Sequence, residues 1–233
     1  MKTLLGKQIA ESAEADRRLT AIHEAGHACV HFALEVRGFR AIYLATEAQF
    51  IADNHDGNGS DDPLGCVIHW DDYPLCFPPL CPGKCRKNLL ELCSYDCLVS
   101  FGGPCAEYLL GKQDSNRLEW FDEGMDYVSE NPNVWRDDFV RASRLSKEAY
   151  TSEWRRSQFL MQIALWTEEL VSDPGMQSVI LDLAESLLQS EKSTMNHREA
   201  WAIMESSLAR SKTGFEKSVW RDRFPNIRTL LPY

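Results

Sequence analysis

The sequence predicts an α+β fold that is mostly α-helical and contains one small β-sheet. Helical spacing of apolar residues recurs in both halves of the chain, whereas only two short segments are rich in β-branched and aromatic residues. The chain has 233 residues, of which 44% are hydrophobic, so it can bury a sizeable core. We therefore expect a single domain over residues 1–233, with a first helix, a sheet and a Cys-rich loop in 1–111 and a helical part in 112–233.

The first predicted helix covers about residues 15–35. Apolar residues such as Ile22 and Val30 occur there at near-helical spacing, mixed with small residues. Ala25 and Gly26 keep this helix slim, so another element can approach it closely and contribute to a shared site.

Two strands are predicted next, at residues 39–47 and 64–70, because both segments are rich in β-branched and aromatic residues. The polar, Gly-rich stretch 53–63 separates them. The Pro-rich stretch 74–82 cannot continue a strand or a helix, and it is therefore predicted to be a loop.

The rest of the chain is predicted to be helical. A long helical pattern covers about residues 87–110, and Gly111 is placed to end it. Asn196 is placed as an N-cap with Glu199 three residues later, which is typical of a capping box. The further helical patterns lie at about residues 137–152, 155–172, 175–191 and 197–210.

Charge and hydropathy exclude several classes of partner. The formal net charge is −10 and no basic cluster stands out, so nucleic acid is not expected to bind. No apolar run of 18 residues occurs and the N-terminus turns polar early, so we expect neither a membrane segment nor an export signal. A cytoplasmic protein with reduced cysteines is the expectation that follows.

The run His-Glu-Ala-Gly-His at residues 23–27 predicts a metal site. Positions i and i+4 of a helix share one face, so His23 and His27 can direct two imidazole nitrogens at one zinc ion. Glu24 lies beside them and can act as the general base that activates a water for peptide-bond hydrolysis. Two histidines at this spacing also occur in helices that bind no metal, and that reading stays open from the motif alone.

A catalytic zinc site needs a third protein ligand. The extended metzincin pattern would place a histidine at position 33, which is Ala33, so that class is excluded. His31 lies one turn beyond His27, and three successive turns are poorly placed around one tetrahedral ion. The third ligand is therefore expected from an element distant in sequence. His31 is expected to be a packing residue.

Three separated blocks resemble the peptidase domain of the FtsH family of ATP-dependent zinc metalloproteases. Residues 20–28 (TAIHEAGHA) are similar to the zinc helix of that family. Residues 101–107 (FGGPCAE), followed by Gly111, are similar to its double-glycine, Ala-Glu helix. Residues 137–143 (DDFVRAS) resemble the helix whose aspartate completes the zinc site. The resemblance implies a zincin-like helical fold with Zn²⁺ as cofactor.

Several site residues follow from the resemblance alone. It implies Asp138 as the third ligand, with Asp137 as the near alternative. It implies that Glu107 supports the site by accepting a hydrogen bond from a ligating imidazole, although an ordinary surface glutamate is the other interpretation. A separate hypothesis comes from the strand pattern of residues 64–70, where a substrate could lie as an added strand along Cys66, Val67 and Ile68.

The chain also departs from that family. It contains no Gly-x-x-x-x-Gly-Lys-Ser/Thr phosphate-binding loop, so we expect an ATP-independent peptidase that cleaves peptides or unfolded polypeptide segments. Assembly into a homo-oligomer is compatible with the resemblance. The alternative is a non-proteolytic binding or regulatory module that keeps zinc as a structural element.

Cysteines are concentrated in one region, because seven of the eight lie between Cys66 and Cys105. Cys76, Cys81 and Cys85 are spaced closely enough to form a candidate second metal site, but the usual Cys-x2-Cys pair is absent. Isolated reduced thiols are the alternative. The remaining cysteines of the long helix, Cys93, Cys97 and Cys105, fall at helical spacing and are predicted to be core residues.

Overall fold

The computed structural model describes residues 2–35, 39–46, 48–49, 64–69, 85–111, 118–130, 138–211, 215–217 and 220. This part of the chain is mostly helical and contains a three-stranded antiparallel sheet, which confirms the predicted α+β class. The helices are α1 (Lys2–Ala33), α2 (Cys85–Ala106), α3 (Glu119–Glu130), α4 (Asp138–Ala149), α5 (Glu153–Val171), α6 (Pro174–Gln189) and α7 (His197–Arg210). The strands are β1 (Phe39–Leu44), β2 (Gly65–His69) and β3 (Thr194–Asn196).

Helices α1 and α2 pack with their backbones in contact. A Cβ on Gly26 would overlap the carbonyl oxygen of Gly102 and would lie 2.7 Å from Cβ of Ala106. A Cβ on Gly102 would in turn lie 2.7 Å from Cγ2 of Val30. Only glycine fits at such positions, and the two helices therefore approach closely where α1 carries its histidines.

Helix α2 ends in an irregular turn beside the histidines. Pro104 lies inside the helix and cannot donate the hydrogen bond that the carbonyl of Ser100 would otherwise accept. The chain then forms a π-helical turn over Glu107–Gly111, which ends at the predicted glycine. Such widened turns are frequent at functional sites, and this one contains Glu107.

The sheet has the order β2-β1-β3, with both pairs antiparallel. Cys66 pairs with Tyr43, and Val67 pairs with Ile42. Strand β2 is an edge strand of the sheet as far as the structure describes it. A Cβ on Gly65 would lie 3.0 Å from Cγ of Glu24, so the start of β2 lies directly against α1.

The C-terminal helices are well capped. The side chain of Asp173 accepts hydrogen bonds from the first turn of α6, and Pro174 occupies the first position of that helix. The predicted capping box of α7 is confirmed, because Asn196 and Glu199 each accept a hydrogen bond from the other's backbone amide. The largest fully buried apolar side chains come from several elements: Phe32, Phe39, Phe101, Phe159, Ile42, Ile163, Met176, Ile180, Leu183 and Met204.

Most predicted elements are present, and two that were not predicted appear. Helix α1 begins far earlier than residue 15, at Lys2. Helix α3 and the three-residue strand β3 were not predicted. The predicted loop 74–82 lies outside the described residues. Within the described ranges, no helix is both long and apolar enough to cross a lipid bilayer.

Candidate metal centre

The structure brings three of the predicted ligands together. Nε2 of His23 lies 3.0 Å from Oδ2 of Asp138, and Nε2 of His27 lies 3.3 Å from the same oxygen. The three ligand atoms all lie within 4.8 Å of one another. This group could hold a metal ion. Asp138 is the first residue of α4, whereas the alternative ligand Asp137 lies outside the described residues.

The donor set and its spacing fit a small divalent ion. Ligand atoms about 2.0–2.1 Å from a tetrahedral ion lie roughly 3.3–3.4 Å apart, so the two nitrogen–oxygen separations of 3.0 and 3.3 Å need only small adjustments. The side chains of His23 and Asp138 are 22% and 25% exposed, which leaves one side of the group open for a further ligand.

Both imidazoles are oriented by their second nitrogen. Nδ1 of His23 donates to Oε2 of Glu107 at 3.0 Å, as the resemblance implied for that glutamate. Nδ1 of His27 lies 2.6 Å from the carbonyl oxygen of Val99 and 3.3 Å from the amide of Gly103. One protonation state cannot serve both contacts, and we assign the proton to Nδ1 because the contact with Val99 is the shorter. With a proton on Nδ1, each ring would bind a metal through Nε2.

Gly103 makes room for the two rings. A Cβ at this position would overlap Nε2 of His27 and would lie 2.7 Å from Nε2 of His23. The predicted double glycine therefore has two separate roles. Gly102 allows α1 and α2 to touch, and Gly103 leaves the space in which the ligand atoms converge.

Glu24 is buried beside the group, with 5% of its surface exposed. Its carboxylate accepts a hydrogen bond from the backbone amide of Val67 in β2. Its other oxygen, Oε2, is buried and finds no hydrogen-bond partner among the described residues. Burial raises the pKa of Glu24, and the charges of His27 and His23 oppose that rise.

The three ligating side chains share protons and charge when no metal is bound. Burial alone would lower the pKa of His23, but hydrogen bonds to Asp138 and Glu107 raise it to about 10. Burial also lowers the pKa of His27, but Asp138 raises it by more, so the net shift is upward. The pKa of Asp138 lies below its ordinary value, because the two histidines outweigh the effect of burial. In the metal-free protein, a proton held between the histidines and Asp138 therefore supplies positive charge where a metal ion would bind.

Two cavities border the metal group. The first, of about 240 Å³, contains the buried Glu24 and lies between α1, α2, α4 and β2. It is lined by His23, Glu24, His27, Gly65, Cys66, Val67, Val99, Ser100, Asp138 and Arg141. The second, of about 300 Å³, is lined by His23, Pro104, Glu107, Tyr108, Trp120, Glu123, Gly124, Tyr127, Asp138 and Phe139. A larger groove of about 1010 Å³ contains none of the predicted site residues.

The predicted substrate strand meets the site only in part. Cys66 and Val67 line the cavity that contains Glu24. Ile68 does not line that cavity and is 38% exposed. His31 is fully buried and hydrogen-bonds through Nδ1 to the hydroxyl of Tyr95, so it packs as expected.

The cysteines divide into two groups. Cys93, Cys97 and Cys105 are buried core residues, as predicted. Burial raises the pKa of Cys93 to about 12 and also raises the pKa values of the other two thiols, so these thiols are unreactive. The candidate second metal site cannot be placed, because Cys76 and Cys81 lie outside the described residues and the side chain of Cys85 is not described.

Sequence reasoning missed residues that line the site. Ser100 and Arg141 border the cavity that contains Glu24, and helix α3 contributes Trp120 and Tyr127 to the second cavity. A signal existed for Arg141, which lies three residues after Asp138 and therefore shares its helix face. No local pattern distinguishes Ser100 from the other helical serines.

The fold and the site define a mostly helical α+β protein with a His2Asp group that could hold a metal ion. No protein-family model matches the chain, and a search of curated proteins gives no significant match.

Proposed function

We propose that this protein is a zinc-dependent metallopeptidase that hydrolyses peptide bonds with Glu24 as its general base. One observation carries the proposal: a buried carboxylate oxygen with no partner in the described part of the chain lies next to a His2Asp group. Burying such an oxygen without a hydrogen-bond partner costs free energy of folding. A structural metal site needs no general base, so it gives no reason to keep this carboxylate. A water that occupies the open side of the metal group would satisfy it.

His23, His27 and Asp138 would hold the ion. Two neutral imidazoles and one carboxylate suit zinc, which prefers three protein ligands and an open position in catalytic sites. Bound zinc would supply Lewis-acid chemistry, lowering the pKa of a water molecule and polarising the scissile carbonyl group.

The protein's own residues would then perform the proton transfers. Glu24 accepts a proton from the attacking water and donates it to the nitrogen of the leaving amine. The Val67 amide, which donates to the Glu24 carboxylate, holds that carboxylate beside the metal group. Glu107 and the carbonyl of Val99 keep the ligating nitrogens of His23 and His27 directed at one point.

The resemblance to the FtsH peptidase domain supports this proposal. The three blocks that carry it lie far apart in sequence, yet their key residues, His23, Gly103, Glu107 and Asp138, are in contact at one site. By the same resemblance we infer that the enzyme acts on peptides or unfolded segments. Such a segment would bind along the edge strand β2, whose Cys66 and Val67 border the cavity.

Metal content tests the site. We expect about one zinc per chain in the wild-type protein and in Glu24→Gln, and loss of zinc in Asp138→Ala. Asp126→Ala, which removes an exposed carboxylate from α3, is the matched control and should keep its zinc. A folded wild-type protein that takes up no zinc when zinc is offered would overturn the proposal. Two zinc ions per chain would indicate a second site at the cysteines.

Peptide cleavage tests the chemistry. Wild type should cleave members of a peptide library, and Glu24→Gln should lose turnover by at least about a hundredfold while retaining zinc. Equal turnover in both proteins would exclude Glu24 as the base. Zinc binding without any cleavage by wild type would favour the non-proteolytic module instead.

Substrate binding along β2 is tested separately. A proline or a charged residue introduced at Cys66 or Ile68 should raise KM for peptides, because it would disturb the edge against which a substrate strand pairs. Unchanged turnover and KM in folded variants would remove this strand from the proposal.

A further inference from the structure

The cavity that contains Glu24 holds unpartnered donors as well as an unpartnered acceptor. Oγ of Ser100 and Nε of Arg141 are buried and have no hydrogen-bond partner within the described part of the chain, like Oε2 of Glu24. All three residues line this same cavity. The proposed function uses the Glu24 oxygen but leaves both donors unexplained.

Ser100 differs from other hydroxyl-bearing residues in these helices. The hydroxyls of Ser94, Thr167 and Ser186 each donate to a backbone carbonyl four residues earlier in their own helix. Ser100 is only 2% exposed, yet it makes no such bond. Burying a hydroxyl without a partner costs free energy, so a ligand that accepts its hydrogen bond would be stabilised.

Arg141 is the positively charged residue of the cavity. It lies one turn after Asp138 on α4, so both side chains are on the same helix face. The nearby carboxylate of Asp96 is stabilised by the charge of Arg141, but no salt bridge to Arg141 occurs among the described residues. A guanidinium group that lines a cavity with a buried, unpaired Nε is poised to bind an anion.

We propose that Arg141 and Ser100 form a subsite that binds a carboxylate of the peptide substrate. A guanidinium group presents a planar fork of N–H donors that matches the two oxygens of a carboxylate, and the Ser100 hydroxyl adds a further donor. The inference rests on the proposed function, because it places this subsite beside the scissile bond. The carboxylate is either the C-terminus of the substrate or the side chain of an aspartate or glutamate.

The charges around the cavity are compatible with this subsite. Glu24 and Asp138 would repel an anion on their own. A divalent ion on the ligands, together with Arg141, would outweigh these two charges. Two further carboxylates lie nearby, and they interact with other groups of the site: Glu107 with His23 and Asp96 with Arg141. Strand β2 borders the same cavity at Cys66 and Val67, so a peptide lying along that strand would bring its side chains or its terminus to Arg141.

Peptide binding tests the subsite without any need for turnover. The probes are three acetylated tetrapeptides: tetra-alanine with a free C-terminal carboxylate, its C-terminal amide, and that amide with one alanine replaced by glutamate. Dissociation constants are measured by calorimetry at pH 7 on zinc-loaded Glu24→Gln and on the same protein with Arg141→Gln added. Because zinc is present in both proteins, any preference caused by the metal itself cancels.

We expect the Glu24→Gln protein to bind at least one carboxylate peptide more tightly than the plain amide, by about tenfold or more. Addition of Arg141→Gln should abolish this preference, and Ser100→Ala should reduce it. Preference for the free C-terminus alone would identify a carboxypeptidase-like site, whereas preference for the glutamate peptide would identify a side-chain subsite. Arg144→Gln, on the same helix but not lining the cavity, is the matched control and should leave the preference intact.

Several results would overturn the subsite. One is equal affinity for all three peptides, and another is a preference that survives Arg141→Gln. A third is an Arg141→Gln enzyme, with Glu24 intact, that loses kcat equally on acid and amide substrates, because that result assigns Arg141 to the reacting oxygen. If Arg141→Gln does not fold, Arg141→Lys replaces it, because lysine keeps the charge but not the planar fork of donors. A preference for carboxylate peptides that is unchanged both in Arg141→Lys and in Ser100→Ala would also overturn the subsite.

The two proposals fail in different ways. A protein that shows the Arg141-dependent preference but cleaves nothing would retain the carboxylate site and lose the peptidase function. A protein that cleaves all three peptides equally well, with or without Arg141, would retain the peptidase function and lose the carboxylate site.

Discussion

Gly103 lies against His23 so closely that a Cβ on the glycine would be only 2.7 Å from Nε2 of the histidine. The point at which the ligand nitrogens converge is therefore defined by the backbone of α2 as well as by the side chains of α1. Two adjacent glycines set the packing of α1 against α2 and the space between the candidate ligands, and substitutions at each can separate the two effects.

We predict that Gly103→Ala lowers zinc affinity by at least about tenfold, because the new methyl group displaces both imidazoles. Gly102→Ala should instead lower thermal stability, since its methyl group would lie 2.9 Å from the carbonyl oxygen of Gly26 and force α1 and α2 apart. Zinc titration with a chromophoric chelator and thermal unfolding of the metal-free proteins check both. A Gly103→Ala protein with wild-type zinc affinity would show that the rings adjust.

Removal of the acceptor at Glu107 should weaken the site without breaking a metal bond. Glu107→Ala leaves Nδ1 of His23 without its partner, and we expect zinc affinity to fall by about 10–100-fold. Glu107→Gln keeps an oxygen acceptor and should lose less. The exposed Glu169 on α5 provides the matched control. Equal zinc affinities for Glu107→Ala and Glu169→Ala, measured in the same chelator competition, would assign no role to the bond with His23.

Gly65 controls the position of the proposed base. A Cβ there would lie 3.0 Å from Oε1 of Glu24 and 2.5 Å from Cγ2 of Thr20, so Gly65→Ala should push the carboxylate away from its place. We expect kcat to fall by at least about tenfold while zinc content is unchanged, because displacement by about 1 Å is costly in catalysis. Parallel elemental analysis and peptide cleavage check this. Loss of zinc would show that the substitution disturbs the ligands instead.

Asp96 predicts a pH dependence of stability that does not involve the metal ligands directly. Burial raises the pKa of Asp96 above its ordinary 3.8, and the charge of Arg141 opposes that rise. Folding therefore favours the protonated form, so this contribution is fully present below about pH 4 and is lost as the pH rises through the folded-state pKa. Asp96→Asn should remove this loss.

Thermal unfolding from pH 4 to pH 7 tests Asp96 against the exposed Asp126. Asp96→Asn should be more stable than wild type at pH 7, and its advantage should shrink toward pH 4. A gain of about 1 kcal/mol would raise Tm by about 2–4 °C in a protein of this size. Asp126→Asn should follow wild type throughout. An advantage of Asp96→Asn that does not change with pH would contradict a titrating carboxyl group at this position.

Local signals in the sequence were enough to predict most of the helices and two strands. The capping box at Asn196 and the terminating Gly111 each depend on neighbouring residues only, and both were predicted. Helix α3 could also have been predicted, because Phe121, Met125 and Val128 recur at helical spacing. Strand β3 could not, because its three residues pair only with β1, which is distant in sequence.

The candidate metal ligands show what a motif can and cannot provide. His23 and His27 follow from helical periodicity alone, whereas Asp138 lies 115 residues beyond His23, and only the resemblance selected it. Arg141 and Ser100 were missed because their burial and lack of partners depend on how α2, α4 and β2 come together. Such tertiary properties leave no trace in the local pattern.

The two histidines are oriented by partners of different chemical kinds. Glu107 orients His23 with a side chain, whereas the carbonyl of Val99 orients His27 with the main chain. A single codon change can delete the first partner. No residue exchanged at position 99 deletes the second, as long as α2 remains helical there. Substitutions that disturb the orientation of a histidine should therefore act mainly on His23. In random mutagenesis, position 99 should tolerate substitution far better than position 107.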